Sequence, residues 1–246
     1  MNLQLKYIVP RKVRALLRSS YTKVHHLYNF LIARTIKKLN TKSFKFNGVD
    51  HNYFLALYNT TYQNERAIEI PIILDFFKKF NGEKVLEIGN VMNHYFHMEH
   101  VVVDKYEKEK GVLNCDIIDY EPNDHFDFIF SISTFEHIGF DEVQRYSSEK
   151  NKEVFQSSLL KAFEKTKTLL KDNGMFVFTV PYGFNTFLDA QVEKNQLLMS
   201  ELYYLKRIYK DNEWKQVTFN ELEGTQYGQP YSCANGMIIG IFKKNP

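Results

Sequence analysis

The chain has 246 residues, 44% hydrophobic and 15% aromatic, with a formal net charge of +3. This apolar content excludes a disordered chain, and the length suits one α/β sheet with a short leading segment rather than two cores. Two distant cysteines, Cys115 and Cys233, exclude a disulfide framework and a zinc-ribbon pattern, and no apolar run reaches the roughly 20 residues of a membrane span, so the expected location is the cytoplasm.

The charge is segregated. Residues 1–47 hold eleven Lys or Arg, from Lys6 to Lys45, and no Asp or Glu, which leaves −8 on the rest of the chain. Leu16, Leu17, Tyr21, Val24, Leu27, Tyr28, Leu31 and Ile32 recur at steps of three and four, the spacing of an amphipathic helix. Such a basic helix can lie on the anionic inner face of a membrane, grip nucleic acid, or pack its apolar side on the domain with a solvated back. Nucleic acid is the least expected of the three. Periodicity lapses from Asn40 to Asp50, so the chain divides into a basic helical extension, 1–47, and a folded domain, 48–246. Oligomeric state is not legible.

Along the domain, residues 65–80 read as a helix interrupted by Pro71. Lys84–Ile88, His100–Asp104, Phe126–Ile132 and Met175–Val180 are short runs rich in β-branched and aromatic residues, the pattern of parallel strands buried on both faces. Between the last two, Glu149–Leu170 carries Val154, Phe155, Leu159, Ala162, Phe163 and Leu169 at helical spacing, with Asn173-Gly174 as a stop. Gln191–Tyr209 reads as a further helix, Lys215–Leu222 as an alternating strand, and Gly236–Lys243 as an apolar strand returning antiparallel. The expected fold is α/β: a doubly wound, seven-stranded, mostly parallel sheet with its ligand beyond the carboxyl ends of the first strands.

The first of those strands ends in Glu87-Ile88-Gly89, a tight turn where backbone can approach a ligand. The second ends at Asp104, whose carboxylate can accept both hydroxyls of a ribose. A nucleoside site follows as the expectation. With VLEIG at 85–89, VVVD at 101–104, NCD at 114–116, FDFIFSISTFEHIG at 126–139 and LLKDNGMFVFTVP at 169–181, the chain resembles the class I S-adenosylmethionine-dependent methyltransferases over residues 50–244. The resemblance implies their Rossmann-like fold and S-adenosylmethionine as cofactor. It puts Gly89 at the amino-acid end, Asp104 on the ribose, Asp116 on the adenine amino group and Ile117 against the ring, and extends the cofactor set to Glu87, Asn90, Lys105 and Ser133.

NERAIEIP at 64–71, EIGNVMNHY at 87–95, VVVDKYE at 101–107 and VPYGFNTFLD at 180–189 are similar to a narrower bacterial and archaeal subfamily found with surface-polysaccharide genes. That similarity implies that Glu65 and Arg66 sit over the cofactor pocket, and that the acceptor is a sugar or glycolipid hydroxyl, small or lipid-linked. A surface ion pair is the alternative for Glu65. One departure stands out: the family's turn carries two or three glycines, whereas here Gly89 is followed by Asn90-Val91-Met92-Asn93-His94-Tyr95. Either Asn90 and Asn93 rebuild the loop or cofactor binding is lost.

The third run leads into Ser133-Thr134-Phe135-Glu136-His137, and Glu136 and His137 are the candidate general bases; a structural hydrogen bond or a cap is the alternative for each. Tyr182, Asn185 and Asp189 are candidates to bind the acceptor, although such residues also serve plain turns, as Asn235 does equally well. His94, His97 and His100 lack a further ligand, so no metal is expected. Two other functions stay open: an NAD-dependent oxidoreductase or epimerase, which shares the glycine turn and the acid but needs GxGxxG, and a non-catalytic scaffold that keeps the fold.

Overall fold

Chain order in the computed structural model, which describes residues 34, 36–80, 82–140 and 149–246, starts from a helical stretch at 36–39. Most of the basic extension, and with it the amphipathic helix read there, lies outside the described residues. An antiparallel hairpin follows, β1 (Ser43–Phe46) and β2 (Val49–Asn52), then α1 (Arg66–Lys79), β3 (Val85–Ile88), β4 (Val101–Asp104), β5 (Val112–Asn114) and β6 (Phe126–Ile132). The remainder runs α2 (Glu149–Thr168), β7 (Leu170–Pro181), α3 (Thr186–Glu193), β8 (Glu201–Tyr209), β9 (Glu213–Val217), α4 (Phe219–Leu222) and β10 (Gly236–Lys243).

The main sheet has the order β5-β4-β3-β6-β7-β10-β8-β9. Its first five strands are parallel, and β10 enters antiparallel between β7 and β8. This is the doubly wound, Rossmann-like α/β fold, with eight strands where seven were expected. Side chains alternate across it as strand geometry requires. Phe128, Phe130, Val177, Met237 and Ile239 face α1 and the hairpin, whereas Leu86, Ile129, Phe176, Phe178 and Ile238 face α2 and α3. Gly240 is a glycine because the Phe178 ring fills its place: a Cβ there would stand 2.1 Å from a ring carbon.

Pro71 lies inside α1 without breaking it. A proline at that position deprives the Ala67 carbonyl of its helical donor, and the Phe54 N–H replaces it at 2.9 Å. The boundary drawn at residue 48 falls in the hairpin turn, and Phe44 and Phe46 ahead of it are buried in the core beneath α1.

Three expectations are corrected. Residues 191–209 are not one helix: α3 ends at Glu193, the chain turns through left-handed Asn195 and Leu198, and β8 pairs with β10 and β9. Tyr203 packs into one core while Leu202 and Tyr204 pack into the other, so neither face of β8 is polar and no alternation marks it. The strand expected at 215–222 stops at Val217 because Thr218 and Glu221 form a reciprocal capping box that starts α4. Asn173-Gly174 does not end the long helix, which stops at Thr168; the pair lies within β7, with Asn173 left-handed. The side chains of Val154 and Phe155 fall outside the described set, while Leu159, Ala162 and Phe163 are buried as expected. Among the described residues, no helix is long and apolar enough to cross a membrane.

Candidate active site

Sheet order reverses at β3, with β4 on one side and β6 on the other. Beyond the carboxyl ends of these strands lies a cavity of about 320 Å³, the place and size of a ligand crevice in such sheets. Seven expected residues line it: Gly89, Asp104, Lys105, Asp116, Ile117, Ser133 and His137. Ile88, Val103, Tyr106, Cys115, Thr134 and Ile138 complete the walls.

Gly89 has φ 87°, and a Cβ on it would stand 2.2 Å from Thr134 Oγ1. Its N–H donates to the Val103 carbonyl at 2.9 Å, which ties the turn to β4. The bulkier loop after it is shaped by a side chain. Glu87 Oε1 accepts the Val91 and Met92 N–H groups, each at 2.8 Å, and Oε2 lies 2.6 Å from His100 Nε2. Both side chains are fully buried. Glu87 therefore does not contact the cavity as expected; its oxygens are committed to the loop and to His100. The three histidines do not converge, and His94 instead approaches Glu107 and Glu109, with ligand atoms within 4.8 Å of one another.

Asn90 is buried beside the cavity, and neither Nδ2 nor Oδ1 has a hydrogen-bond partner among the described residues. Its N–H points to Asp104 Oδ2 at 3.4 Å. Asp104 Oδ1 accepts the Tyr106 and Glu107 N–H groups at 2.8 Å each, so one oxygen fixes the carboxylate and the other is presented beside Asn90. Asp116 Oδ1 accepts the Ile118 N–H at 3.0 Å, and Oδ2 pairs with Lys105 Nζ at 3.0 Å across the cavity wall.

Toward β7 the same sheet edge holds a polar cluster around Arg66. Its guanidinium pairs with the buried Glu69, whose Oε1 accepts Ser133 Oγ and Thr179 Oγ1 at 2.6 Å each. Ser133, expected on the cofactor, thus lines the cavity but spends its hydroxyl on Glu69. Glu65 is partly buried and accepts the Ala234 N–H at 3.1 Å, so it is no surface ion pair. Glu136 is 1% exposed, and its Oε2 has no partner among the described residues. Burial pushes the Glu136 carboxyl well above the usual range; its own backbone hydrogen bond and Arg66 oppose this, and the charges of Glu69 and Glu65 add to it. Glu65 is raised by the same burial, with Glu69 reinforcing it. Burial alone would lower Arg66, but Glu69 and Glu65 overrule it and hold the guanidinium charged. Glu69 and Thr179 carried no signal in the sequence beyond polarity within apolar runs.

The acceptor candidates divide differently. Asn185 is buried, caps α3 by accepting the Leu188 N–H at 3.2 Å, and donates to the Glu136 carbonyl at 2.8 Å. It is a structural link rather than a cavity wall. Asp189 Oδ2 accepts the Gly183 N–H at 3.0 Å, and Tyr182 packs edge-on to Phe219; neither lines the cavity. Aromatic neighbours missed in the sequence surround His137 instead: Phe184 lies 4.9 Å from its ring, with Phe140 and Tyr227 at 5.1 and 5.0 Å from Phe184. Burial and then Glu65 push the Tyr227 hydroxyl up to about 12.

No protein-family model and no curated protein matches the chain. Solved structures similar in chain course include the N-methyltransferase NodS from Bradyrhizobium japonicum in complex with S-adenosyl-L-homocysteine, at 10% identity over 74% of this chain and 92% of that one, with a TM-score of 0.42. A SAM-dependent methyltransferase from Archaeoglobus fulgidus is 13% identical over 76% of this chain and 98% of that one, with a TM-score of 0.43. A third, from Clostridium acetobutylicum, is 12% identical over 71% and 89%, with a TM-score of 0.37. At such values the functional reading rests on the residues of the site.

Proposed function

We propose that this protein is an enzyme that transfers a methyl group from S-adenosylmethionine to a small acceptor. The observation that carries this reading is the Asp104 carboxylate at the cavity, one oxygen held by two amides and the other presented next to the Gly89 turn. A fixed carboxylate of this kind suits a pair of ribose hydroxyls, which donate charge-assisted hydrogen bonds. The residues present fit that cofactor: the left-handed turn at Gly89 brings backbone to the cavity wall, and next to it Asn90 carries two buried polar atoms without partners among the described residues.

When bound, S-adenosylmethionine supplies a methyl on a sulfonium that is already a good leaving group. The chain's part is to position and to take a proton. Asp104, Asp116 and Ile117 would hold the nucleoside, and Arg66 and Asn90 the methionine end. His137, 45% exposed at its side chain, and the buried Glu136 stand at the turn after β6, where an acceptor would enter beside the Phe184 and Tyr227 pair. We assign the acceptor to sugar or glycolipid hydroxyls, on the sequence resemblance and on the aromatic group beside His137, since the C–H faces of a sugar ring pack on such side chains. Residues 1–47, carrying eleven cations, would bring the enzyme to the inner face of a membrane for a lipid-linked acceptor.

Titration calorimetry with S-adenosylmethionine, S-adenosylhomocysteine and NAD tests the reading. Saturable binding of the first two, lost in Asp104→Ala, is the expected result. Tight NAD binding would replace it with an oxidoreductase, and silence toward all three would leave a scaffold.

A further inference from the structure

We infer that Glu136 is the group that receives the acceptor's proton, and that it is emptied of its own proton when the positively charged methyl donor enters the site. This deepens the function proposed above and rests on it.

The argument begins with charge. Facing Glu136 are Glu65 at the N-cap of α1, Arg66 and Glu69 from α1, His137 with Nε2 3.8 Å from Glu136 Oε1, and Tyr227 from the loop before β10. Three carboxylates therefore surround Arg66, and a second guanidinium, Arg207, acts on Glu65. The three do not share Arg66 equally. Glu69 takes the Arg66 ion pair and two hydroxyls, and Glu65 takes a backbone amide. Glu136 is as buried as Glu69 but has an orphaned Oε2, with its own backbone hydrogen bond, the Arg66 charge and His137 at 3.8 Å against burial, so of the three it is the one that burial drives furthest toward its protonated form. A further cation in the cluster changes that balance. Glu136 is not itself a cavity wall, but its Oε1 lies 3.8 Å from Nε2 of His137, which is, so a sulfonium bound in the cavity adds its charge one side chain away from the carboxyl.

The proton count then closes over one turnover. Donor binding expels the Glu136 proton to solvent and leaves a carboxylate. During transfer the S–CH₃ bond breaks, sulfur keeps the electron pair, the bond from the acceptor oxygen to the methyl carbon forms, and the acceptor's proton passes to Glu136. The sulfonium charge disappears in the same step, so Glu136 ends neutral beside a neutral thioether, as it began. The sign of the site's charge never has to be carried by an unpaired buried ion.

The test compares the two cofactor forms by calorimetry at neutral pH in buffers of different ionisation enthalpy, which counts protons exchanged on binding. S-adenosylmethionine should release about one proton more than S-adenosylhomocysteine, on the one-group argument above. In Glu136→Gln that difference should vanish while S-adenosylhomocysteine still binds. Equal proton counts for the two ligands in the unaltered protein would overturn the inference without any variant, as would a difference that survives in Glu136→Gln. Failure of both ligands to bind would instead overturn the cofactor reading beneath it.

Discussion

The Asn185 side chain joins two parts of the site: its Nδ2 donates to the Glu136 carbonyl at 2.8 Å while its Oδ1 receives the Leu188 N–H at 3.2 Å. One amide group therefore fixes the turn after β6 to the start of α3, and with it the backbone that carries Glu136 and His137. Because it touches neither the cavity nor the proposed nucleoside subsite, its effect on chemistry is one of position.

Asn185→Ala should cost about 1 kcal/mol for the lost cap and about 1–3 kcal/mol for the orphaned carbonyl, read from denaturant unfolding. Turnover should fall at least tenfold with little change in the dissociation constant for S-adenosylhomocysteine. Equal losses in both would place Asn185 in the cofactor subsite instead.

Gly89→Ala meets two obstacles together, a left-handed backbone and the Thr134 hydroxyl 2.2 Å from the new methyl. The strand end must shift, so cofactor affinity should drop by more than tenfold in a titration. The variant Thr134→Ser should bind the cofactor nearly as well as the unaltered protein, since the serine keeps the hydroxyl and relieves only the methyl contact.

Asp104→Asn keeps an oxygen for the Tyr106 and Glu107 amides but puts an NH₂ donor where two ribose hydroxyls need an acceptor. Affinity for S-adenosylhomocysteine should fall about 10- to 100-fold, the scale of one charge-assisted hydrogen bond, with melting temperature almost unchanged. A large drop in melting temperature with intact affinity would assign Asp104 to the turn alone.

The reach of the sequence differed between strands and site. Phe126–Ile132 and Gly236–Lys243 were readable to the residue because both of their faces are apolar and their neighbours are turns. β8 was hidden by the same property, since ELYYLKRIY puts aromatic and aliphatic groups on both faces at spacings a helix would share. Gly89 and Asp104 could be placed because one follows and the other ends a strand visible in the local pattern, whereas Asp116 came only through the family resemblance, since Val112–Asn114 ahead of it was not read as a strand. Glu69, Thr179, Phe184 and Tyr227 could not, because they meet only through pairing of distant segments; Thr179 and Glu69 are 110 residues apart. Glu87 was legible as important but not in its role, which depends on His100 lying opposite it.

Asp189 makes stability depend on pH. Burial raises its carboxyl from 3.8 to about 7, against a smaller opposing pull from the Gly183 N–H. The folded state holds the proton more tightly than the unfolded chain, so this contribution is full below 3.8 and is lost as pH climbs through about 7. Unfolding free energy should fall across that window by on the order of 4 kcal/mol, and Asp189→Asn should flatten the profile and exceed the unaltered protein at alkaline pH. Chemical denaturation at stepped pH measures both; parallel profiles for the two proteins would remove Asp189 as the cause.

The carboxylate brace beneath residues 91 and 92 has an evolutionary corollary. A bend that owes its course to small residues must keep them small, whereas one gripped from below by an acid leaves its outward positions at liberty to carry bulk, ring or charge. Asn93, exposed while Val91 and Tyr95 pack on the core, is thus a site where selection can retune this rim of the sheet, so long as Glu87 and His100 are inherited as a pair.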